Sequence, residues 1–381
     1  LLGLVILANI LKYPGFHFGP RYAAATGTSL LQAYRRQGTW ALVLYGILTV
    51  GTMFAVQAAV TIVTAGLALA LFGDSLSLMT YAVVITVLAA GITGMGQFRL
   101  LDRIIKVIVV TLTVATIAAT AFAVGQIDWS APWMLSAGDW DPQTVFFAAA
   151  LVGWMPTALD IAVWHSLWTL ARRDSTGHRP SIREVLVDFN IGYIGTAILA
   201  VCYVLLGAGV MHGTGEPLAT TAGGFANQVI DLYTRNLGEW SRPIIGFCAL
   251  TVMCSTVLTV IDGFPRALSG LIARFQEPEE PHAGDQHKTS RSYWIALLVL
   301  GIGSIFVLGQ FLKSLKGLID LATVLSFLTA PILTTLNHRA ITSSDVPPEA
   351  QPGKAMKLYS WISIASLTAF ALYYLKLRFL S

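Results

Sequence analysis

The sequence predicts an all-α polytopic membrane protein, because its charge content is low and its apolar residues come in long runs. The 381 residues are 55% hydrophobic and only 12% charged, whereas soluble domains usually carry about 25% charged residues. The apolar runs are each about 20 residues long, which is the length a helix needs to cross a bilayer. The lipid bilayer is therefore an expected partner.

Other classes of protein are excluded by what the sequence lacks. The net charge is only +4, and the basic residues form no stripe with interleaved aromatics, so no nucleic-acid partner is expected. Cys202, Cys248 and Cys254 lie inside apolar runs at spacings that match no zinc site, so they are interpreted as core residues. The sequence shows no nucleophile–base set and no cofactor fingerprint, so neither an enzyme nor a cofactor is expected.

About ten membrane spans are predicted. They cover residues 1–34, 39–72, 76–96, 100–124, 146–170, 185–211, 244–272, 293–311, 318–336 and 358–375. The first span is expected to be interrupted at Pro14 and Pro20, because proline lacks a backbone donor. The chain opens inside an apolar run and carries no signal-peptide pattern. We therefore expect one N-terminal helix to be missing from this chain.

The distribution of Lys and Arg predicts the orientation of the spans. When Arg35 and Arg36 are placed in the cytoplasm, every second connection is cytoplasmic, and that side collects most of the basic residues. The loop 128–144 contains three Asp and three Trp but no basic residue, as expected of an outer loop. These features predict a multi-pass protein of the inner (plasma) membrane.

The fifth span, 146–170, contains residues that should break a helix near its middle. Gly153, Met155, Pro156 and Asp160 lie there. A proline disfavours helix in the residue before it, and a carboxylate in hydrocarbon must face protein, water or an ion. A broken helix at mid-membrane is how many secondary transporters build a substrate site. The alternative is a proline kink beside a buried, paired aspartate.

The span count indicates two inverted five-helix repeats, each of which would open with a broken helix. Under this interpretation residues 1–127 are the remainder of the first repeat (helices 2–5), and 128–144 form an outer loop. Residues 145–340 form the second repeat (helices 6–10), and 341–381 add a loop and an extra C-terminal helix.

Several short motifs, in order along the chain, resemble those of one family. The segment LANILKYPGFHFGPRYAAATG contains Leu7-Ala8-Asn9, Arg21 and Thr26-Gly27. Asp102 follows in FRLLDRIIKVIV, and Asp262-Gly263 ends a later span. Met155-Pro156 and His165-Ser166 lie in the broken span. This pattern resembles the Nramp divalent-metal transporters, which implies a LeuT-like inverted-repeat transporter fold of the APC superfamily and metal transport by alternating access.

The sequence also departs from that family. The first-helix metal motif of the family, Asp-Pro-Gly-Asn, would lie in the segment expected to be missing, and Thr157 stands where the family has His. Positions linked to proton transfer correspond to Ala58 and Thr61, and a polar Gln of the family corresponds to Ala322. The resemblance is therefore to a divergent branch, comparable with the Nramp-related magnesium transporters, in which transport is not expected to be coupled to protons.

Asp160 is the first candidate for a metal ligand. Hard divalent cations prefer oxygen, and Mg²⁺ in particular keeps several waters and uses one or two carboxylates. A broken helix frees backbone carbonyls around Gly153 and Thr157, and the Thr157 hydroxyl adds a further oxygen. The resemblance implies a thioether ligand at Met155, which would favour Mn²⁺ or Fe²⁺ over Mg²⁺. The alternative for Met155 is a gap-filling core residue.

Lys12 is unusual because it lies within the first apolar span. A buried ammonium needs a partner, and Asp160 is one of few intramembrane carboxylates in the sequence. If the two are paired, the ammonium takes the place of a bound cation. The alternative is that Lys12 extends to a membrane interface.

Further residues are candidates for gating or for lining the pathway. His165 can change its charge near neutral pH, or it is simply a packed helix residue. Arg21, Asp102 and Asp262 near cytoplasmic ends form either gate salt bridges or ordinary interfacial pairs. Asn9 and Gln57 are interpreted as interhelical hydrogen-bonding residues, with Gln57 a candidate to line the pathway, as is Thr323.

Two function classes follow. The first is a secondary transporter of divalent metal ions (Mn, Fe or Mg). The second is a carrier of the same fold for an organic or amine-bearing solute, or a sensor that does not transport.

Overall fold

The structure is a computed structural model that describes residues 1–95, 99–130, 132, 134, 140–212, 218–277, 290–312 and 314–380; of residues 95 and 99–104 it describes the backbone only. Regular structure in this part of the chain is helical. The α-helices are α1 (Leu2–Thr26), α2 (Leu30–Gln37), α3 (Thr39–Phe72), α4 (Leu78–Met95), α5 (Arg99–Ala123), α6 (Pro142–Trp154), α7 (Ile161–Thr176), α8 (Ile182–Val210), α9 (Ala222–Leu237), α10 (Arg242–Gln276), α11 (Arg291–Gln310), α12 (Leu315–Ile341) and α13 (Lys354–Phe379).

Many of these helices are long and apolar enough to cross a bilayer. Within the described residues, 7 helices meet this condition, and two shorter apolar helices, Leu78–Gly94 and Pro142–Trp154, accompany them. The protein is therefore an integral membrane protein. The count of ten spans, the missing helix and the division into repeats at 127, 144 and 340 stay predictions.

The first span differs from the prediction, because α1 runs without interruption through Pro14 and Pro20. A proline inside a helix removes one hydrogen bond, a loss that packing against neighbouring helices can offset. Gly19 provides that packing, since a Cβ at this position would overlap the backbone carbonyl of Ala162 on α7. The helix instead ends at Gly27, whose φ of 71° favours glycine.

Helix α3 forms the centre of the bundle, and α8 lies at its edge. In the most apolar window of α3, 72% of the residues are buried, whereas the corresponding share for α8 is 6%. The outward residues of α8 are apolar, for example Ile191, Ile194 and Ile198. In a bilayer these side chains would contact lipid acyl chains.

The predicted break in the fifth span is present and separates α6 from α7. Asp141 caps the start of α6 by accepting a hydrogen bond from the Thr144 backbone N–H at 2.9 Å, and Pro142 occupies its first turn. Helix α6 ends at Trp154, and α7 begins at Ile161. The Met155–Pro156 peptide bond is cis. Residues 155–160, called the helix break below, join the two halves.

Candidate functional site

The helix break is held against α12 by a close approach of two backbones. A Cβ at Gly153 would overlap the carbonyl oxygen of Thr323, so a residue with a side chain cannot occupy this position without moving one helix. The last turn of α6 leaves carbonyl oxygens that no helical N–H can reach, because the helix stops there. The Val152 carbonyl accepts only a long bond from the Met155 N–H, at 3.4 Å. The close contact at Gly153 thus places carbonyl oxygens of this last turn in the interior of the bundle.

The ammonium group of Lys12 lies beside carbonyl oxygens at the end of α6 and in the helix break. Its side chain is fully buried on α1. The Nζ atom donates hydrogen bonds to the carbonyl oxygens of Val152 at 3.0 Å, Gly153 at 2.9 Å and Thr157 at 2.6 Å. An ammonium has three protons, so this set uses all of them. We call these three oxygens the carbonyl cradle; two precede the helix break and one lies within it.

Asp160 lies at the end of the break, directly before α7, and is 1% exposed. Its backbone carbonyl accepts the Val163 N–H at 2.9 Å. By contrast, neither oxygen of its carboxylate has a hydrogen-bond partner in the described part of the chain. Asp160 and Lys12 interact electrostatically but share no direct hydrogen bond. The carboxylate is therefore a buried acceptor whose ligand positions are open.

Hydroxyl groups of α2 and α3 extend the polar region beyond Asp160. Tyr34 and Tyr45 both interact electrostatically with its carboxylate. Tyr34 donates to the Asn337 Oδ1 at 2.5 Å, and the Asn337 amide donates to the Gly15 carbonyl at 2.9 Å. Hydrogen bonds thus join α2 to α12 and α12 to α1.

Sequence reasoning missed Tyr34, Tyr45 and Asn337, and also Thr49. The hydroxyls of Tyr45 and Thr49 are buried without hydrogen-bond partners among the described residues. These two residues are four apart in an apolar span, and that spacing places both on one helix face. A search for buried polar pairs at this spacing could have found them.

Met155 and Thr157 are both in the helix break but make different contacts. Thr157 supplies its backbone carbonyl to the cradle. Met155 is half-buried and packs against a cluster formed by α6, α12 and α13, with Val152 and Phe327 among its members. Met155 and Pro156 also line a cavity of about 1350 Å³ between the start of α1 and helices α5 and α8. One side of the break therefore borders a large, mainly apolar space.

Asp262 and Arg21, two of the gating candidates, contact different parts of the fold. Asp262 pairs with Arg266 at 3.1 Å and accepts hydrogen bonds from the Tyr293 hydroxyl at 2.7 Å and the Trp168 indole at 3.2 Å. Arg21 instead donates to backbone carbonyls in the connection between α12 and α13, those of Ala350 and Gln351, at 2.9 and 3.0 Å. The side chain of Asp102 lies outside the described residues.

His165 is separated from the cradle by its position on α7. Its ring lies beside those of Trp168 and Phe189, with centroids 6.1 and 6.3 Å away. These are aromatic contacts of a packed helix face. A proton-transfer or gating role for His165 stays a prediction.

The residues expected to line a pathway are buried but bond within their own helices. The Asn9 amide donates to the Val5 carbonyl at 2.8 Å, and the Gln57 amide donates to the Thr61 hydroxyl at 3.1 Å. Thr323 donates to the Ile319 carbonyl at 2.7 Å. Interhelical bonds were predicted for Asn9 and Gln57, but their side-chain amides use acceptors one turn away on the same helix. Asn9 does join two helices through its backbone carbonyl, which accepts the Tyr193 hydroxyl of α8 at 2.6 Å.

Groups of three or more His, Cys, Asp or Glu that could hold a metal do not occur in the described ranges. Any metal ion bound at the break would therefore depend on one carboxylate, backbone carbonyls and other neutral donors. Such a donor set suits an ion that retains water ligands.

Known proteins of similar sequence and fold identify this architecture. The Nramp family profile, described as natural resistance-associated macrophage protein-like, matches residues 1–376. An uncharacterized protein of Pasteurella multocida, PM0681, is 30% identical over 375 residues, which is 98% of this chain and 84% of that protein.

Crystal structures of the Eremococcus coleocola manganese transporter have the same fold. The complex with an aromatic bis-isothiourea substituted compound superposes with a TM-score of 0.70 at 14% identity, and a mutant superposes with 0.68 at 15%. Each comparison covers 98% of this chain and 79% of the transporter. The fold is thus the LeuT-like fold of these transporters, and the match of the family profile along almost the whole sequence shows that the chain belongs to the Nramp family.

Proposed function

We propose that this protein is a secondary transporter that moves divalent metal cations across the inner membrane by alternating access, with Asp160 as a ligand of the transported ion. Nramp proteins are transporters rather than enzymes, and the metal is their substrate and not a cofactor. The manganese transporter of Eremococcus coleocola, which shares the fold, supports a divalent cation as substrate.

The observation that carries the proposal is the open carboxylate of Asp160. Buried polar groups nearly always have hydrogen-bond partners. A carboxylate within the membrane is energetically costly, and such residues usually mark functional sites. Asp160 is 1% exposed, and neither of its oxygens has a partner in the part of the chain that the structure describes. A cation bound at the helix break would supply the missing interaction.

The other proposed ligands determine which ions fit. The carbonyls of Gly153 and Thr157, together with water, suit Mg²⁺ or Mn²⁺. Met155 would contribute a thioether and shift the preference towards Mn²⁺ and Fe²⁺. Its place against α12 and α13 is equally that of a packing residue. Uptake of Mn²⁺ and Mg²⁺ by Met155→Leu decides between these two roles. A thioether ligand predicts that the variant loses preference for Mn²⁺ over Mg²⁺, whereas a packing residue predicts an unchanged preference.

The test of the proposal is metal uptake into liposomes that contain the purified protein. Wild type is expected to move Mn²⁺ or Mg²⁺ inward, and Asp160→Ala is expected to abolish the movement. Asp74→Ala is the matched control, because Asp74 lies exposed in the turn between α3 and α4. Lack of uptake of every divalent ion tested by wild type would refute the proposal.

One observation supports a second candidate, an amine-bearing solute. The cradle already holds an ammonium at 2.6–3.0 Å from three carbonyls, and an external amine could occupy the same oxygens. Under this alternative, small organic amines rather than metal ions would accumulate in the same liposomes. A binding protein that does not transport would accumulate neither.

A further inference from the structure

We infer that Lys12 is a tethered competitor of the transported cation: its ammonium occupies carbonyl oxygens that the ion needs, so metal binding requires the side chain to leave the carbonyl cradle. The inference rests on the proposed function. It adds a residue that sets the affinity of the site for metal.

The first argument is occupancy. The ammonium of Lys12 lies 2.6–3.0 Å from the oxygens of Val152, Gly153 and Thr157. Ca²⁺ and Mg²⁺ bind oxygen at about 2.0–2.6 Å. An ion in contact with the same carbonyls would therefore overlap the ammonium nitrogen, so the two cations cannot use the cradle together.

The second argument is charge. The three carbonyl acceptors of Lys12 match the three protons of an ammonium, and in its ionised form the nearby Asp160 supplies the opposite charge. A divalent ion bound to Asp160 would add two positive charges beside the ammonium. In a buried site this repulsion is strong, since few solvent dipoles screen it. Movement of the ammonium away from the cradle removes most of that repulsion.

The third argument is that the side chain has another favourable contact. The Nζ atom lies 5.7 Å from the centroid of the Phe16 ring, one helical turn along α1. The face of an aromatic ring attracts an ammonium. Lys12 has a flexible four-carbon stem, so its head group can withdraw from the carbonyls while it stays close to this ring.

The experiment compares metal binding by the wild-type protein with metal binding by three variants of Lys12. Lys12→Met removes the charge at similar volume, Lys12→Gln removes the charge but keeps amide donors for the carbonyls, and Lys12→Arg keeps the charge. The dissociation constant for Mn²⁺ is measured by electron paramagnetic resonance on detergent-purified protein. A thermal melting curve of each variant verifies that it is folded.

Loss of the charge is expected to tighten Mn²⁺ binding by at least about tenfold in Lys12→Met, where the repulsion and the competition for oxygen both disappear. Lys12→Gln loses the repulsion but keeps a neutral competitor for the carbonyls, so it is expected to bind Mn²⁺ more tightly than wild type but less tightly than Lys12→Met. Lys12→Arg is expected to bind no tighter than wild type. Equal or weaker binding by both folded neutral variants, with wild type binding Mn²⁺, would overturn the inference alone. Absence of binding in wild type and in both neutral variants would overturn the proposed function together with it.

A second measurement uses wild type and does not depend on whether the neutral variants fold. In protein labelled with ¹⁵N at lysine Nζ, addition of diamagnetic Mg²⁺ is expected to shift the Lys12 resonance, because the ammonium exchanges carbonyl partners for an aromatic ring. Lys12→Arg assigns the resonance by its disappearance. An unchanged resonance at saturating Mg²⁺ would show that the ammonium stays in the cradle and would overturn the inference.

Discussion

Asp160 and Asp262 are both aspartates of the helical bundle, and they differ in what their oxygens contact. Asp262 is paired with Arg266 and receives hydrogen bonds from Tyr293 and Trp168. Asp160 is more deeply buried, and neither oxygen of its carboxylate has a hydrogen-bond partner in the described residues. A carboxylate surrounded by donors fixes helices to one another, whereas a carboxylate without donors is suited to bind something that comes and goes.

The largest expected effect is on transport through the unpartnered carboxylate. Asp160→Asn keeps the size of the side chain but removes its charge. Mn²⁺ uptake into liposomes is expected to fall more than about 100-fold, because even partners of metal ligands typically cost 10–100-fold when mutated. Uptake that stays within a few-fold of wild type would show that the open carboxylate is not a ligand.

Removal of the partnered carboxylate should instead appear as lost stability. Asp262→Ala breaks the ion pair with Arg266, which is 3% exposed, and breaking a buried pair costs about 3–5 kcal/mol. Asp160→Asn removes the counter-charge of Lys12, but Lys12 keeps its three carbonyl acceptors and the Asp160 carboxylate accepts no hydrogen bond that would be lost. The melting temperature in detergent should therefore fall further for Asp262→Ala than for Asp160→Asn. The reverse order would contradict the distinction between the two carboxylates.

A smaller effect is expected from the glycine that positions the break. In Gly153→Ala the new Cβ would overlap the Thr323 carbonyl, so α6 and α12 must separate. Overpacking of this kind costs about 1–3 kcal/mol, and both the melting temperature and Mn²⁺ uptake should decrease. Gly192→Ala is the matched control, because nothing lies within 4 Å of a Cβ there. A decrease of equal size in the control would exclude a specific role for Gly153.

The smallest expected signal concerns protons. Ala58 and Thr61 on α3 are both buried, and neither side chain can carry a carboxylate charge. We therefore expect metal uptake to proceed without a coupled proton flux. A pH-sensitive dye inside the liposomes measures this, and acidification in proportion to the metal taken up would refute the expectation.

The sequence predicted the helix break because its cause is local. Pro156 and Gly153 disfavour a continuous helix, and the structure ends α6 at Trp154 and begins α7 at Ile161. The same rule failed for Pro14 and Pro20, where α1 continues. The difference lies in packing, because α1 packs closely against α7 at Gly19. A contact between segments so far apart in the chain cannot be predicted from the residues next to the prolines.

The contacts of Lys12 show a similar limit. Its position in an apolar span indicated either a buried ammonium paired with Asp160 or a side chain that extends to a membrane interface. The structure adds that its hydrogen bonds go to three backbone carbonyls about 140 residues further along the chain. Backbone acceptors have no signature in the residue types. The hydrogen bond from Tyr34 to Asn337 was missed for a different reason: it joins two side chains that lie 303 positions apart.

Gly19 and Gly153 determine which neighbouring helix each half of the broken helix packs against, and hence which helix it would move with. Gly153 seats α6 on α12, whereas Gly19 seats α7 on α1. Residues 155–160 thus form a hinge between α6 and α7, which pack against different helices. Lys12 belongs to the α1 side and holds Val152 and Gly153 on the α6 side. Any rotation at this hinge that carries α6 away from α1 must therefore lengthen the hydrogen bonds from Lys12 to the carbonyls of Val152 and Gly153.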